Sequence, residues 1–198
     1  LRPREPFGDL TRDRSARAKL PFRAVNRRGR SGYCPGMQRH HLLPCQLLQK
    51  QQFSSLFDEV APERIGFDDF RRNGLLLPAT EDASLCLGMP LHRGPHRRYN
   101  EVVAERVGQI EAGWSVVRQH SRECAAHQVL MRLDLLQRAL RRRLLDQRYA
   151  RFPLSNRDPL GEGLDFSELD ALAETLWTST AGIRQGSAAC LSPAEPKD

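Results

Sequence analysis

Met37-Gln38-Arg39-His40-His41-Leu42-Leu43-Pro44 sets two adjacent imidazoles in a short apolar segment that ends at proline. Four of the six histidines fall between positions 40 and 96. The other two of those four, His92 and His96, stand at i, i+4 in Leu91-His92-Arg93-Gly94-Pro95-His96-Arg97-Arg98-Tyr99-Asn100. The two groups read as halves of one metal site. Converging imidazole nitrogens suit a divalent transition ion, and His40, His92 and His96 supply three while leaving coordination positions open, as catalysis requires. His41 sits beside the first ligand but is not needed for binding. It reads as a general base, because an imidazole near its free pKa takes a proton from water at neutral pH. A regular strand turns neighbouring side chains to opposite faces, so this assignment needs a bend at the pair. Pro44 and Cys34-Pro35-Gly36 are the bend signals.

Working outward, Tyr33 to Pro44 reads as a hairpin or extended segment carrying the pair. Apolar residues at 47, 48, 53, 56, 57 and 60 predict a helix over 45–60, closed by Ala61-Pro62. Asn73-Gly74 is a turn signal feeding a short buried strand, Leu75 to Leu77. Pro95 suits a first helical turn, after which Val103, Val107, Ile110, Trp114 and Val117 form one stripe. Carried backwards, that stripe places Asn100 and His96 on the inward face near the helix N-terminus, an end that also favours phosphate. A long helix is expected over 122–150, with Val129, Leu133, Leu136, Leu140 and Leu144 as its apolar stripe. Phe152 to Gly163 reads as a loop, Asp165 to Trp177 as a short acidic helix and Ser187 to Asp198 as a frayed tail.

The 198 residues carry a net charge of +7, unevenly placed. Residues 1–40 hold eleven Lys/Arg against three Asp/Glu, whereas residues 153–198 hold three against eight. A basic front end suits phosphate backbones, whose neutralisation releases counterions; a solvated basic tail is the bland alternative. The expected division is a basic flexible arm over 1–32, a catalytic domain with its long packing helix over 33–151, and an acidic C-terminal extension over 152–198. No apolar run approaches the length of a membrane span, and no export signal is readable in this chain. The start at Leu1 suggests a processed product or the end of a longer polypeptide. Five cysteines without any Cys-x-x-Cys argue against a disulfide framework and a zinc ribbon, and read as free thiols, mostly buried. A structural zinc on Cys34, His40 and Cys45 fits no finger spacing and leaves His92 and His96 idle. A zinc deaminase lacks its His-x-Glu and Cys-x-x-Cys.

His40-His41-Leu42-Leu43-Pro44, Asn73-Gly74-Leu75-Leu76-Leu77-Pro78 and His92-x-Gly94-x-His96-x-x-Tyr99-Asn100 together resemble the three blocks of the AHH branch of the HNH/endonuclease VII nuclease superfamily. That branch is known chiefly as toxin domains of bacterial polymorphic toxins. The resemblance covers roughly residues 36 to 112, with one departure: Arg39 precedes the pair where the branch has alanine.

It implies an α+β, mainly α chain built on a ββα-metal (His-Me finger) core, a small β-hairpin surrounded by additional helices. His40 would be a ligand and His41 the base that activates water. Asn73 would steady the hairpin through hydrogen bonds, and His92 and His96 would complete the metal side. Arg39, Arg93, Arg97 and Arg98 are candidate phosphate contacts, while Tyr99 reads as core and Asn100 as packing or the outer metal shell. Asp68 and Asp69 read as solvated acid between two anchors, and His120 and His127 as structural.

The reading is a metal-dependent endonuclease acting on DNA, with RNA as second choice. It uses one divalent ion, left open among Zn, Mg, Mn and Ni. By analogy it is a secreted or delivered bacterial effector acting in the target-cell cytoplasm, neutralised in its producer by an immunity protein. Two other classes remain. A non-catalytic nucleic-acid-binding module with a structural metal predicts binding without cleavage, and an inactive interaction domain predicts partner binding alone.

Overall fold

In the computed structural model, which describes residues 18–146 together with Leu154, Ser155, Ala171 and Thr175, two strands and six α-helices surround one core. β1 (Met37–His41) pairs antiparallel with β2 (Gly74–Pro78) in the register Met37↔Pro78, His40↔Leu75, His41↔Gly74. Between them run α1 (Ser54–Val60), α2 (Pro62–Ile65) and α3 (Phe70–Asn73). After β2 come α4 (Glu81–Leu87), α5 (Arg97–Val117) and α6 (Arg122–Leu145). The strand pair is therefore closed by a long helical connection, not by a tight turn.

α5 and α6 carry the core. Val103, Val107, Ile110 and Trp114 of α5 and Val129, Leu133, Leu136, Leu140 and Leu144 of α6 are buried, the stripes that the periodicity predicts. α6 starts where the Ser121 hydroxyl accepts from the Cys124 N–H at 3.3 Å. That bond satisfies one of the amides left free at a helix N-terminus. Phe53, Leu56, Phe57 and Val60 extend the same core towards the strands, where Leu42, Leu43 and Leu77 are fully enclosed.

Asn73, the last residue of α3, is wholly buried, and its amide ties the strands to this core. Its Oδ1 accepts from the Leu43 N–H at 2.7 Å and its Nδ2 donates to the Leu43 and Phe67 carbonyls at 3.0 and 3.2 Å. Its own carbonyl accepts from the Leu42 N–H at 2.8 Å. From α6, the Gln137 amide donates to Asn73 Oδ1 at 3.3 Å. The next residue must be glycine, because a Cβ on Gly74 would lie 2.2 Å from the Phe70 ring.

Several expectations are corrected. The helix expected over 45–60 is two 3-10 turns, Cys45–Gln49 and Gln51–Phe53, followed by α1. The polar run Gln49 to Gln52 has no apolar side chain to bury, and Lys50 is extended. Asn73-Gly74 is not a turn but the junction of α3 with β2, since Asp69 caps α3 through its bond from the Arg71 N–H at 3.1 Å. Asp69 is accordingly buried, not solvated. Cys34, Cys45, Cys86 and Cys124 are exposed, because the core is filled by branched and aromatic side chains; Cys190 lies outside the described residues. His120, in the turn after α5, and His127, on α6 away from its apolar stripe, are exposed as well. α6 is described to Leu145. The loop, acidic helix and tail expected beyond residue 152 lie, apart from four residues, outside the described residues.

Truncating Asn73 would leave the Leu43 N–H and two carbonyls buried without partners, at about 1–3 kcal/mol each in the worst case. We expect Asn73→Ala to lose about 3 kcal/mol of unfolding free energy in urea. A loss below about 1 kcal/mol would show that the amide does not brace the strands.

Candidate metal centre

His40 lies near the end of β1 with its side chain turned inward, 3% exposed. Its ring meets Tyr99, His92 and His96 at centroid distances of 4.8, 4.8 and 5.7 Å, and the latter two rings are 4.3 Å apart. One nitrogen from each histidine falls within 4.8 Å of the others. Three segments bring them together: β1 carries His40, the stretch after α4 carries His92, and His96 caps the N-terminus of α5. The His92 N–H donates to the Pro78 carbonyl at 2.7 Å, which fastens that stretch to the end of β2. Tyr99, buried one turn into α5, donates to the Leu42 carbonyl at 2.6 Å and so locks the helix against the strand.

The outer ring nitrogens are already engaged. His96 Nδ1 lies 2.5 Å from the Leu154 carbonyl, and His92 Nδ1 lies 3.3 Å from Gln38 Oε1. A carbonyl can only accept, so His96 Nδ1 bears a proton and Nε2 is the nitrogen left to face an ion; Gln38 Oε1 argues the same for His92. The Nε2 of His40 is buried without a hydrogen-bond partner among the described residues. Such an orphan is costly in a folded protein unless a ligand completes it. Three nitrogen donors, one of them orphaned, fit a divalent transition ion with open positions.

Electrostatics favours the unprotonated rings of His40 and His92. Burial holds the His40 pKa well below the usual imidazole value, and the neighbouring His92, His96 and His41 push it the same way. His92 is lowered to about 4, by burial first and by His96 and His41 after it.

His41 stands outside this cluster. Its ring lies flat on Phe22, with centroids 3.7 Å apart and planes 6° from parallel. Burial lowers its pKa and Arg39 adds to the effect, outweighing the opposing pull of Asp68. No bend turns the pair to one face, because β1 stays regularly paired with β2 through both histidines. The two imidazoles instead serve different sides of the strand end.

The remaining candidates fall in different places. Arg39 donates to the Phe22 carbonyl at 2.8 Å, a structural contact. Arg93, Arg97 and Arg98 are exposed around the centre. Asn100 donates to Gln46 Oε1 at 3.1 Å across a cleft of about 440 Å³, whose walls include Lys50, His96, Arg97 and Glu101. Asn73 lies behind the strands, bonded to backbone. Cys34 and Cys45 are not part of the one ligand cluster among the described residues. Phe22, Gln38, Gln137 and Leu154 were not singled out by sequence. Gln137 alone leaves a sequence signal, as a polar residue on the α6 stripe between Leu133 and Leu140. Phe22 belongs to the segment read as a flexible arm. From Ala18 onward that segment is anchored on the domain: the Phe70 N–H donates to the Leu20 carbonyl at 2.7 Å, and the Leu20 N–H to Asp69 Oδ1 at 3.2 Å.

No curated protein and no solved structure gives a significant match to the chain. A family profile does match residues 21–140, which span both strands, the three histidines of the cluster and most of α6. The matched description is a nuclease family of the HNH/ENDO VII superfamily with conserved AHH. With the match covering more than half of its length, the chain belongs to the AHH nuclease family of the HNH/ENDO VII superfamily.

Proposed function

We propose that the protein is a metal-dependent endonuclease that hydrolyses phosphodiester bonds in DNA. The observation that carries this reading is the three-imidazole cluster with the orphaned Nε2 of His40 at its buried end. His40, His92 and His96 would hold one divalent ion. When bound, such an ion would polarise a phosphate oxygen and stabilise the charge that builds on the leaving oxygen.

The chain's own groups supply the rest. His41, with its pKa lowered, is neutral at pH 7 and can accept a proton from the attacking water. When protonated, it would disfavour protonation of His92, so the two rings lie within electrostatic reach of each other. A phosphodiester lying across the strand end would thus have the cluster on one side and the base on the other. The exposed Arg93, Arg97 and Arg98 and the Lys50 wall of the cleft would bind flanking phosphates. Support for delivery as a bacterial toxin, and for neutralisation by an immunity protein, comes from the resemblance in the sequence motifs. RNA is the alternative substrate, separated by offering both nucleic acids in one assay.

The roles of the adjacent histidines separate by substitution. His40→Ala should lose both metal binding and cleavage of supercoiled plasmid. His41→Ala should keep the metal by calorimetry while cleaving on the order of a hundred- to ten-thousand-fold more slowly. Parental nicking by His41→Ala would rule out the base. Metal binding without cleavage by the unaltered protein would favour a structural ion in a binding module.

The second test is protonation. A pKa lowered below the unfolded value means that the native ring resists a proton the unfolded chain accepts, so falling pH destabilises the metal-free fold. For His92 that loss should begin near pH 6.5, the unfolded value, and run down to about pH 4. Ring NMR signals of metal-free protein should give a His92 midpoint near 4. A midpoint at the free-imidazole value would mean that the ring is not held in the cluster.

A further inference from the structure

We propose that Phe22 is the positioning residue of His41, and that the N-terminal segment from Ala18 to Val25 is a built-in part of the nuclease site. The inference rests on reading His41 as the base. A general base must present one nitrogen in a fixed direction, and an imidazole is usually held there by a hydrogen bond on its other nitrogen. His41 makes no such bond among the described residues; Asp68 acts on it through charge alone. What fixes the plane of its ring is contact with a second flat ring, 3.7 Å away and 6° from parallel.

Phe22 is itself held on every side. It is 7% exposed, its ring takes the edge of Phe70 at 5.1 Å and 73°, and its carbonyl accepts from Arg39 at 2.8 Å. Pro21 bridges to Asp69, and Arg71 donates to the Ala18 carbonyl. The support continues downward, since Phe70 reaches its place only because Gly74, the cross-strand partner of His41, has no side chain. Gly74, Phe70, Phe22 and His41 therefore form one continuous line of contacts. Arg39, where the family's motif has alanine, closes it from the strand side.

A buried phenylalanine also fills space, so the test must separate ring stacking from volume. In the full chain, Phe22→Leu keeps most of the volume and loses the flat face, Phe22→Tyr keeps both, and Phe22→Ala loses both. We expect plasmid-nicking kcat to fall about ten- to a hundredfold in Phe22→Leu and Phe22→Ala, the scale for a misplaced catalytic group. KM and calorimetric metal affinity should stay within about twofold, and Phe22→Tyr should recover the rate. On a His41→Ala background, Phe22→Leu should cost nothing more, because a residue acting through His41 has nothing left to position. Parental activity in Phe22→Leu, or a further loss in the double variant, would overturn the proposal. One arm is independent of catalysis: the His41 ring protons should be shifted upfield by the Phe22 ring current and return in Phe22→Leu. If that shift is present while His41→Ala nicks at the parental rate, the contact stands and the assignment of the base falls. An unshifted His41 ring in the parental protein overturns the contact itself.

Discussion

The buried amide of Asn73 is the constraint on which the rest depends. Its two side-chain bonds to Leu43 and the backbone bond from Leu42 fix the chain immediately after the histidine pair, so the end of β1 cannot shift relative to β2. A one-residue slip would exchange the faces of His40 and His41 and abolish the site. An amide suits this place because it donates and accepts at once, meeting both the N–H and the carbonyl of Leu43. A carboxylate could only accept and would also bury a charge. Gln137 brings α6 into the same network, which gives the long helix a polar tie to the hairpin beside its apolar packing.

Much of this was legible in the sequence, for reasons that differ by element. The α5 and α6 stripes were readable because long amphipathic helices repeat their buried residues at a period that no loop imitates. The histidine groups were readable because imidazoles concentrate in two short segments with a strand signal between them. The one-turn helices α2 and α3 were not, since four residues are too few to show a period. The Phe22 stack was illegible for another reason. A phenylalanine in an arginine-rich, aperiodic segment gives no local sign of the distant ring it will meet. The contacts of Gln38 and Leu154 with the cluster are likewise tertiary, and for Leu154 the accepting atom is a backbone carbonyl common to every residue.

Three imidazoles gathered in a mostly buried space would repel one another if protonated, and the same burial that makes protonation costly makes the lone pairs available. The order of causes matters. Desolvation leads for both His40 and His92, with the mutual repulsion of the rings second. Removing one imidazole should therefore weaken the cluster as a ligand set more than it relieves the remaining rings. The hydrogen bonds on the Nδ1 atoms of His92 and His96 act in the same direction by reserving the inner nitrogens.

Adjacent residues of a paired strand cannot point into one space, and the sequence alone made this an objection to giving His40 and His41 joint roles. The structure resolves the objection by placing the two rings on different sides of the strand. Alternation sends His40 inward, where the α5 side of the fold meets it with Tyr99, His92 and His96. It sends His41 to the opposite side, where the N-terminal segment meets it with Phe22. On the proposed reading, a base held away from the ligand cluster would not compete as a further ligand, yet it would remain attached to the same short strand whose end Asn73 immobilises. The separation between the Cα atoms of His40 and His41 is set by covalent geometry and strand register, both far stiffer than the side-chain torsions of either histidine.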